Sequence, residues 1–212
     1  MKELASLFEE QSLINIKLSY GSSGNLHSQI VHGAPYQLFF SADQEKPKAL
    51  VEGKIASKNS RFTYAIGKLA LWSPLPNIDV KQIFLSGAIS RLAMANPVTA
   101  PYGMAAKSVL KNLNLIDQYS SKKVYGQNIA QSYLYTSTQN TDLGFVSMSQ
   151  VLTHQGSIWS IPPELYHPIR QDVVIIKKFE NNQNTWRFLN FIQSSPAKKI
   201  IIRYGYSVIR RY

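Results

Sequence analysis

At 212 residues, of which 44% are hydrophobic, the chain is long enough to bury one core or two small ones and too apolar to be a disordered tail. It has no cysteine, which excludes disulfides, thiolate metal sites and a cysteine nucleophile without fixing the compartment. The formal charge of +11 favours acidic partners, but the basic residues fall in scattered groups, Lys122-Lys123, Lys177-Lys178, Lys198-Lys199 and Arg210-Arg211. No stripe of them is interleaved with aromatics, so a solvated basic face is expected and nucleic-acid binding is not.

Residues 1–10 read as an amphipathic helix with Leu4, Leu7 and Phe8 on one side and nothing capping its start. A domain rarely begins within an element, so the chain is expected to continue upstream of Met1, where an export signal is also expected, since none stands at the N-terminus. No apolar run approaches the ~20 residues of a membrane span, and a soluble globular protein is expected. Residues 13–20 alternate as a strand does and lead into the turn Gly21-Ser22-Ser23-Gly24-Asn25. A helix from Gly24 to His32 follows, closed by Gly33. Backbone N–H groups at such a strand-to-helix turn lack intrahelical partners, and with the hydroxyls of Ser22 and Ser23 they make an anion-binding place that needs no Lys or Arg. The alternative stays open that both serines satisfy only their own turn.

Residues 36–40 form a short apolar run of the kind found inside a parallel sheet covered on both faces. Asp43 is placed to cap the next helix, residues 45–52, which Gly53 ends. Strand, helix, strand, helix is the α/β rhythm. A further strand is expected within 62–72, and Pro74 and Pro76 just after it suggest a crossing out of the first unit. Beyond residue 77 the rhythm restarts with a buried strand at 91–95, a loop at 96–103 and a helix at 104–112. A third strand-to-helix junction at 123–129 precedes a helix at 130–137, and a strand at 143–150 carries Ser147 near its far end. Loops at the carboxyl ends of strands are where open α/β sheets bind ligands. Residues 166–171 lead into a strand at 172–177, a return crossing, and two helices split by Pro196 end the chain at Gly205.

The expected organisation is therefore α/β with two interleaved units, 1–72 with 172–212 and 73–171, and a hinge where the chain crosses. The sequence has no G-x-S-x-G, G-x-G-x-x-G, Walker A or H-E-x-x-H pattern. The four histidines, His27, His32, His154 and His167, never reach metal-ligand spacing. Asp43 is explained as a cap before a catalytic base, Arg170 as a hinge ion pair before an anion donor, and Trp72, Trp159 and Trp186 as core. An enzyme is not expected, and no cofactor is implied.

The series YGSSGNLHSQIVHGAPYQLFFSAD, NPVTAPYGMAAKSVL, GQNIAQ, DLGFVSMSQ, IRQDVVIIKK and IIRYGY resembles, in order and spacing, the molybdate-binding periplasmic proteins of bacterial ABC transporters. The resemblance covers nearly the whole chain. It implies the two-lobed type II periplasmic-binding-protein fold, each lobe a mixed sheet flanked by helices, enclosing molybdate or tungstate between the lobes with neutral hydrogen-bond donors. It implies a monomeric periplasmic receptor serving a membrane permease of an ABC transporter. Position by position, Ser23 matches an oxyanion donor, with Ser22 beside it. Tyr102 stands at the second loop's contact position, and Ile129 where a backbone amide points at the ligand. Ser147 falls where some members place a tyrosine hydroxyl. Members of the family begin with a strand and an Ala/Ser-rich loop that supplies another donor, and this sequence starts in the helix after that loop. The resemblance therefore leaves two further readings, a paralogue that keeps the fold without binding ligand and an effector-binding domain of a regulator with the same fold.

Overall fold

The structure, a computed structural model, describes residues 1–209; Arg210-Arg211 of the scattered basic groups lie outside the described residues. In chain order its helices and strands are α1 (Lys2–Ser12), α2 (Ser23–Val31), β1 (Leu38–Phe40), α3 (Glu45–Glu52), β2 (Phe62–Gly67), β3 (Leu69–Ser73), α4 (Val80–Ser86), β4 (Leu92–Ala95), α5 (Pro101–Asn112), β5 (Lys123–Gly126), α6 (Ile129–Ser137), β6 (Leu143–Ser147), α7 (Met148–Val151), β7 (Ser157–Ser160), β8 (Ile169–Ile175), α8 (Gln183–Ile192) and α9 (Ser195–Arg203). They form two compact units. The first comprises Met1–Ile66 and the chain from Arg170 onward, the second Gly67–Ile169.

In the first unit, α1 buries Leu4, Ala5 and Phe8, positions that share one helical face. Phe8 meets Phe188 of α8 edge-on with ring centroids 5.0 Å apart, a favoured aromatic geometry. Helix α8 turns Phe188, Leu189 and Ile192 inward, and the Asn182 side chain caps its first turn by accepting from the N–H groups of Asn184 and Thr185. Ser194 caps α9, with Pro196 in its first turn where no N–H is needed. The sheet of this unit has the order β1-β8-β2, and Val173, Val174 and Ile175 of its central strand are fully buried.

Two expectations for this unit are corrected. Residues 36–40 do not lie inside a parallel sheet: β1 is an outer strand running antiparallel to β8, with Phe39 opposite Val174. Residues 13–20 have the predicted alternation, Ile14 and Ile16 leaning on the α1–α8–α9 core, but they form no strand. Leu13 ends α1 at φ 59° and is almost fully exposed. Side chains of α1 then take the next backbone donors, the Ile14 N–H going to Ser12 Oγ and the Ile16 N–H to a Glu9 carboxylate oxygen. A cavity of about 570 Å³ opens between residues 15–21 and 35–40.

The second unit holds a five-stranded sheet of order β5-β4-β6-β3-β7. Strand β4 runs parallel to β5 and β6, and β3 runs antiparallel to β6 and β7. All five residues of β3 are buried. Leu69 and Leu71 face the main core with Phe84, Leu92, Phe145 and Val109, while Ala70 and Trp72 face a second cluster with Val146 and Val151. Burial on both faces is why 69–72 reads as a continuous apolar run rather than an alternating one. Trp72 stacks on Tyr133 at 5.4 Å. The stretch 62–72, read as one strand, is two, β2 in the first unit and β3 in the second. The chain leaves the first unit at Gly67, ahead of the prolines, and re-enters it at Arg170, whereas 72/73 and 171/172 were expected. Among the described residues no helix is long and apolar enough to cross a membrane.

Candidate functional site

The expected donors fall into two groups, one in each unit. In the first unit, Ser22 is the N-cap of α2: its backbone is extended at φ −66° and ψ 147°, and its Oγ accepts the Asn25 N–H at 3.3 Å. Ser23 opens the helix. Its Oγ accepts the N–H of Ala42 at 2.9 Å across nineteen residues, which ties the loop after β1 to the first turn of α2. An oxygen used as acceptor keeps its own proton to donate. The N–H groups of Ser23 and Gly24 have no partner among the described residues, as the first turn of a helix requires. Ser22 thus serves as the local cap, and Ser23 is the residue whose hydroxyl proton is left to donate.

The loop that holds Ser23 is itself anchored. Ser41, fully buried, donates its N–H to the Asp172 carbonyl at 2.9 Å. The buried Asp172 carboxylate accepts from Thr63 Oγ1 at 2.6 Å, Arg61 Nε at 2.8 Å and Gln44 Nε2 at 3.1 Å. Gln44, not Asp43, is the N-cap of α3, but Asp43 serves the same first turn from one residue earlier: its Oδ1 accepts the Lys46 N–H at 2.9 Å and its carboxylate pairs with Lys46 Nζ at 2.7 Å. Arg170 is exposed and makes no ion pair among the described residues, so the expected ion pair near the return crossing belongs to Arg61 and Asp172 instead.

In the second unit, three helix N-termini stand at the carboxyl ends of three adjacent strands. Because β4 is parallel to both β5 and β6, the ends of all three fall on the same edge of the sheet, from which α5, α6 and α7 start. Tyr102 lies in the first turn of α5, not in a loop: Pro101 presets the helical φ and the helix begins three residues before the expected start. Gly103 makes this entry possible, since a Cβ there would stand 2.3 Å from the Ala95 carbonyl oxygen at the end of β4. Ile129 is the first residue of α6, whose N-cap Asn128 accepts the Gln131 N–H. The Ile129 N–H has no partner among the described residues.

Ser147 ends β6 and caps α7, so the expected strand over 143–150 stops there. Its Oγ lies 3.1 Å from the Tyr102 hydroxyl and 2.8 Å from Ser149 Oγ. Gln150, not singled out beforehand, joins the group: its Oε1 accepts the Ser147 N–H at 2.9 Å and its Nε2 donates to the Ile129 carbonyl at 3.3 Å. Ser147 followed three positions later by Gln150 is a capping-box spacing, the signal that would have found it. The second unit thus brings Tyr102, Ile129 and Ser147 together around Gln150, and Ser22 and Ser23 stand in the first unit.

All of these groups are uncharged hydrogen-bonding groups, suited to an anion with several oxygens and not to a cation. Among the described residues no cluster of His, Asp and Glu is able to hold a metal ion. Two tyrosines away from the site are perturbed by burial. Burial pushes the Tyr119 hydroxyl up to about 12 and raises that of Tyr166; both are anchored in the core, by the Phe84 carbonyl and the Leu69 N–H.

Residues 1–207 match the family model described as bacterial extracellular solute-binding protein. The chain is 40% identical over 214 residues to the molybdate-binding protein ModA of Azotobacter vinelandii, covering 98% of this chain and 85% of that protein. It is 40% identical over 207 residues to ModA of Rhodobacter capsulatus, covering 97% and 82%. Among solved structures, the periplasmic molybdate-binding protein of A. vinelandii superposes with a TM-score of 0.92 at 37% identity, over 99% of this chain and 94% of that one.

Proposed function

Because the chain belongs to the bacterial extracellular solute-binding protein family, we propose that it is the substrate-binding receptor of an ABC importer for molybdate. The observation that carries this reading is 40% identity over nearly the whole chain to two molybdate-binding proteins. The donor chemistry supports it. A tetrahedral dianion, molybdate or tungstate, would be satisfied by the Ser23 hydroxyl and the open N–H groups of α2 from one unit, and by Tyr102 and the Ile129 N–H from the other. Ser147 would act through Tyr102, and Ser22 by holding the first turn of α2.

Neutral donors suit a ligand that must be handed on, because a fixed countercharge would slow its release. Binding then selects the conformations in which both sets of donors reach the same anion, and a membrane permease would read that state. A smaller oxyanion such as sulfate would leave donors stretched and bind less well. In this reading the protein acts in the periplasm, as a monomer, and performs no chemistry on its ligand.

A second reading is a family member that keeps the fold but holds no oxyanion. One observation favours it: among the described residues the segment leading to Ser23 has no strand partner, and it borders an open cavity, which gives the turn little support. Melting the chain with and without millimolar molybdate, tungstate and sulfate separates the two. At a hundred times the dissociation constant, binding adds about 2.7 kcal/mol of stability. The receptor reading expects the melting temperature to rise with molybdate or tungstate and less with sulfate; no rise with any of them supports the second reading.

A further inference from the structure

The first unit's donors have charged neighbours that a site of neutral donors leaves unused. Asp43 is buried, and its carboxylate pairs with Lys46 Nζ at 2.7 Å, while a quarter of the Lys46 side chain stays exposed. The Lys46 stem lies over the first turn of α2, since a Cβ at Gly24 would stand 3.8 Å from its Cε. Ser23 Oγ accepts the N–H of Ala42, the residue just before Asp43. A carboxylate, an ammonium and the open donors of α2 therefore share one corner of the unit. Asp43 precedes α3 and is buried, so the Lys46 ammonium is the partner that offsets the cost of holding its carboxylate away from water. Beside an anion site the same pair has a second consequence, because a bare carboxylate there would repel a dianion.

We propose that Lys46 is a specificity-determining residue of the oxyanion site, cancelling the Asp43 charge so that a doubly charged anion can settle against the first turn of α2. The inference rests on the receptor reading above and goes beyond it, since that reading uses uncharged donors alone. The pair makes the corner neutral without supplying the fixed positive charge that would hold the ligand too long.

The test is calorimetric titration of the full chain and of Lys46→Met, Asp43→Asn and the double variant. The titrants are molybdate and perrhenate, a tetrahedral anion of similar size with a single charge. Asparagine still offers an acceptor to the Lys46 N–H, so the first turn of α3 keeps this bond, and melting without anion checks that each variant folds. Lys46→Met is expected to weaken molybdate binding by roughly tenfold or more, with a smaller loss for perrhenate. Asp43→Asn should bind at least as tightly as the wild type, and the double variant should return to near the wild-type affinity. Unchanged binding in Lys46→Met overturns the inference, as does a double variant as weak as Lys46→Met, which would make Lys46 a direct contact or a packing residue. A wild-type chain that binds molybdate while Lys46→Met matches it removes this inference alone; a wild-type chain that binds no oxyanion removes the receptor reading with it.

Discussion

Adjacent serines in one turn divide the work. Ser22 spends its oxygen on the Asn25 N–H, and Ser23 spends its oxygen on Ala42 while keeping a proton. Their removal should therefore have different signatures. Ser23→Ala should weaken oxyanion binding about 10- to 150-fold, the equivalent of losing one hydrogen bond to a charged group, ~1.5–3 kcal/mol, as read by titration. Ser22→Ala should instead cost about 1 kcal/mol of stability through the lost cap, as read by urea unfolding, with a smaller effect on affinity. Equal effects of the two changes on binding would contradict this division. Tyr119 gives a separate check. Its hydroxyl is pushed up to about 12 by burial, above its value in the unfolded chain. The stability that goes with its protonated form is fully present below pH 10 and is lost as pH rises from there towards about 12. Unfolding followed over that range should show a decline that Tyr119→Phe flattens.

At the scale of elements, the helices were the most legible part of the chain, because apolar spacing and punctuating residues agreed: Leu4 and Phe8 in α1, Asp43 before α3, and Pro196 at the start of α9. The failures share a physical cause. Alternation records which side chains are buried, not which backbone groups are paired, so 13–20 looked like a strand while its amides turned to Ser12 and Glu9. A doubly buried strand carries no alternation, so the break between β2 and β3 at Lys68 was invisible within an apolar run. Pro101 was read as a loop residue although the first turn of a helix accepts proline. Hydrogen exchange should register the first of these directly. Amides of residues 17–20 are expected to exchange far faster than those of Val173, Val174 and Ile175 in the buried central strand. Comparable protection of the two segments would mean that 13–20 is paired after all.

For the whole molecule, the legible features were the α/β class and the interleaving of two units by two passages of chain. The site was less so. Ser22 and Ser23 stood out from their Gly/Ser turn, whereas Tyr102, Ile129 and Ser147 came from resemblance, since no local pattern makes a first-turn tyrosine or an isoleucine amide stand out. Gln150 and Lys46 escaped notice because their importance lies in neighbours distant in sequence, Ile129 for one and Gly24 for the other. The parallel pairing of β4 with β5 and β6 explains how three separate loops come to one edge in the second unit, and nothing short of the register reveals it. The central proposal is that this chain is an oxyanion receptor. Titration of the wild-type chain with molybdate tests it most directly. The account predicts saturation at one anion per chain and displacement by tungstate but only weakly by sulfate, whereas no binding of molybdate or tungstate, or several weak sites spread over the basic surface, would contradict it.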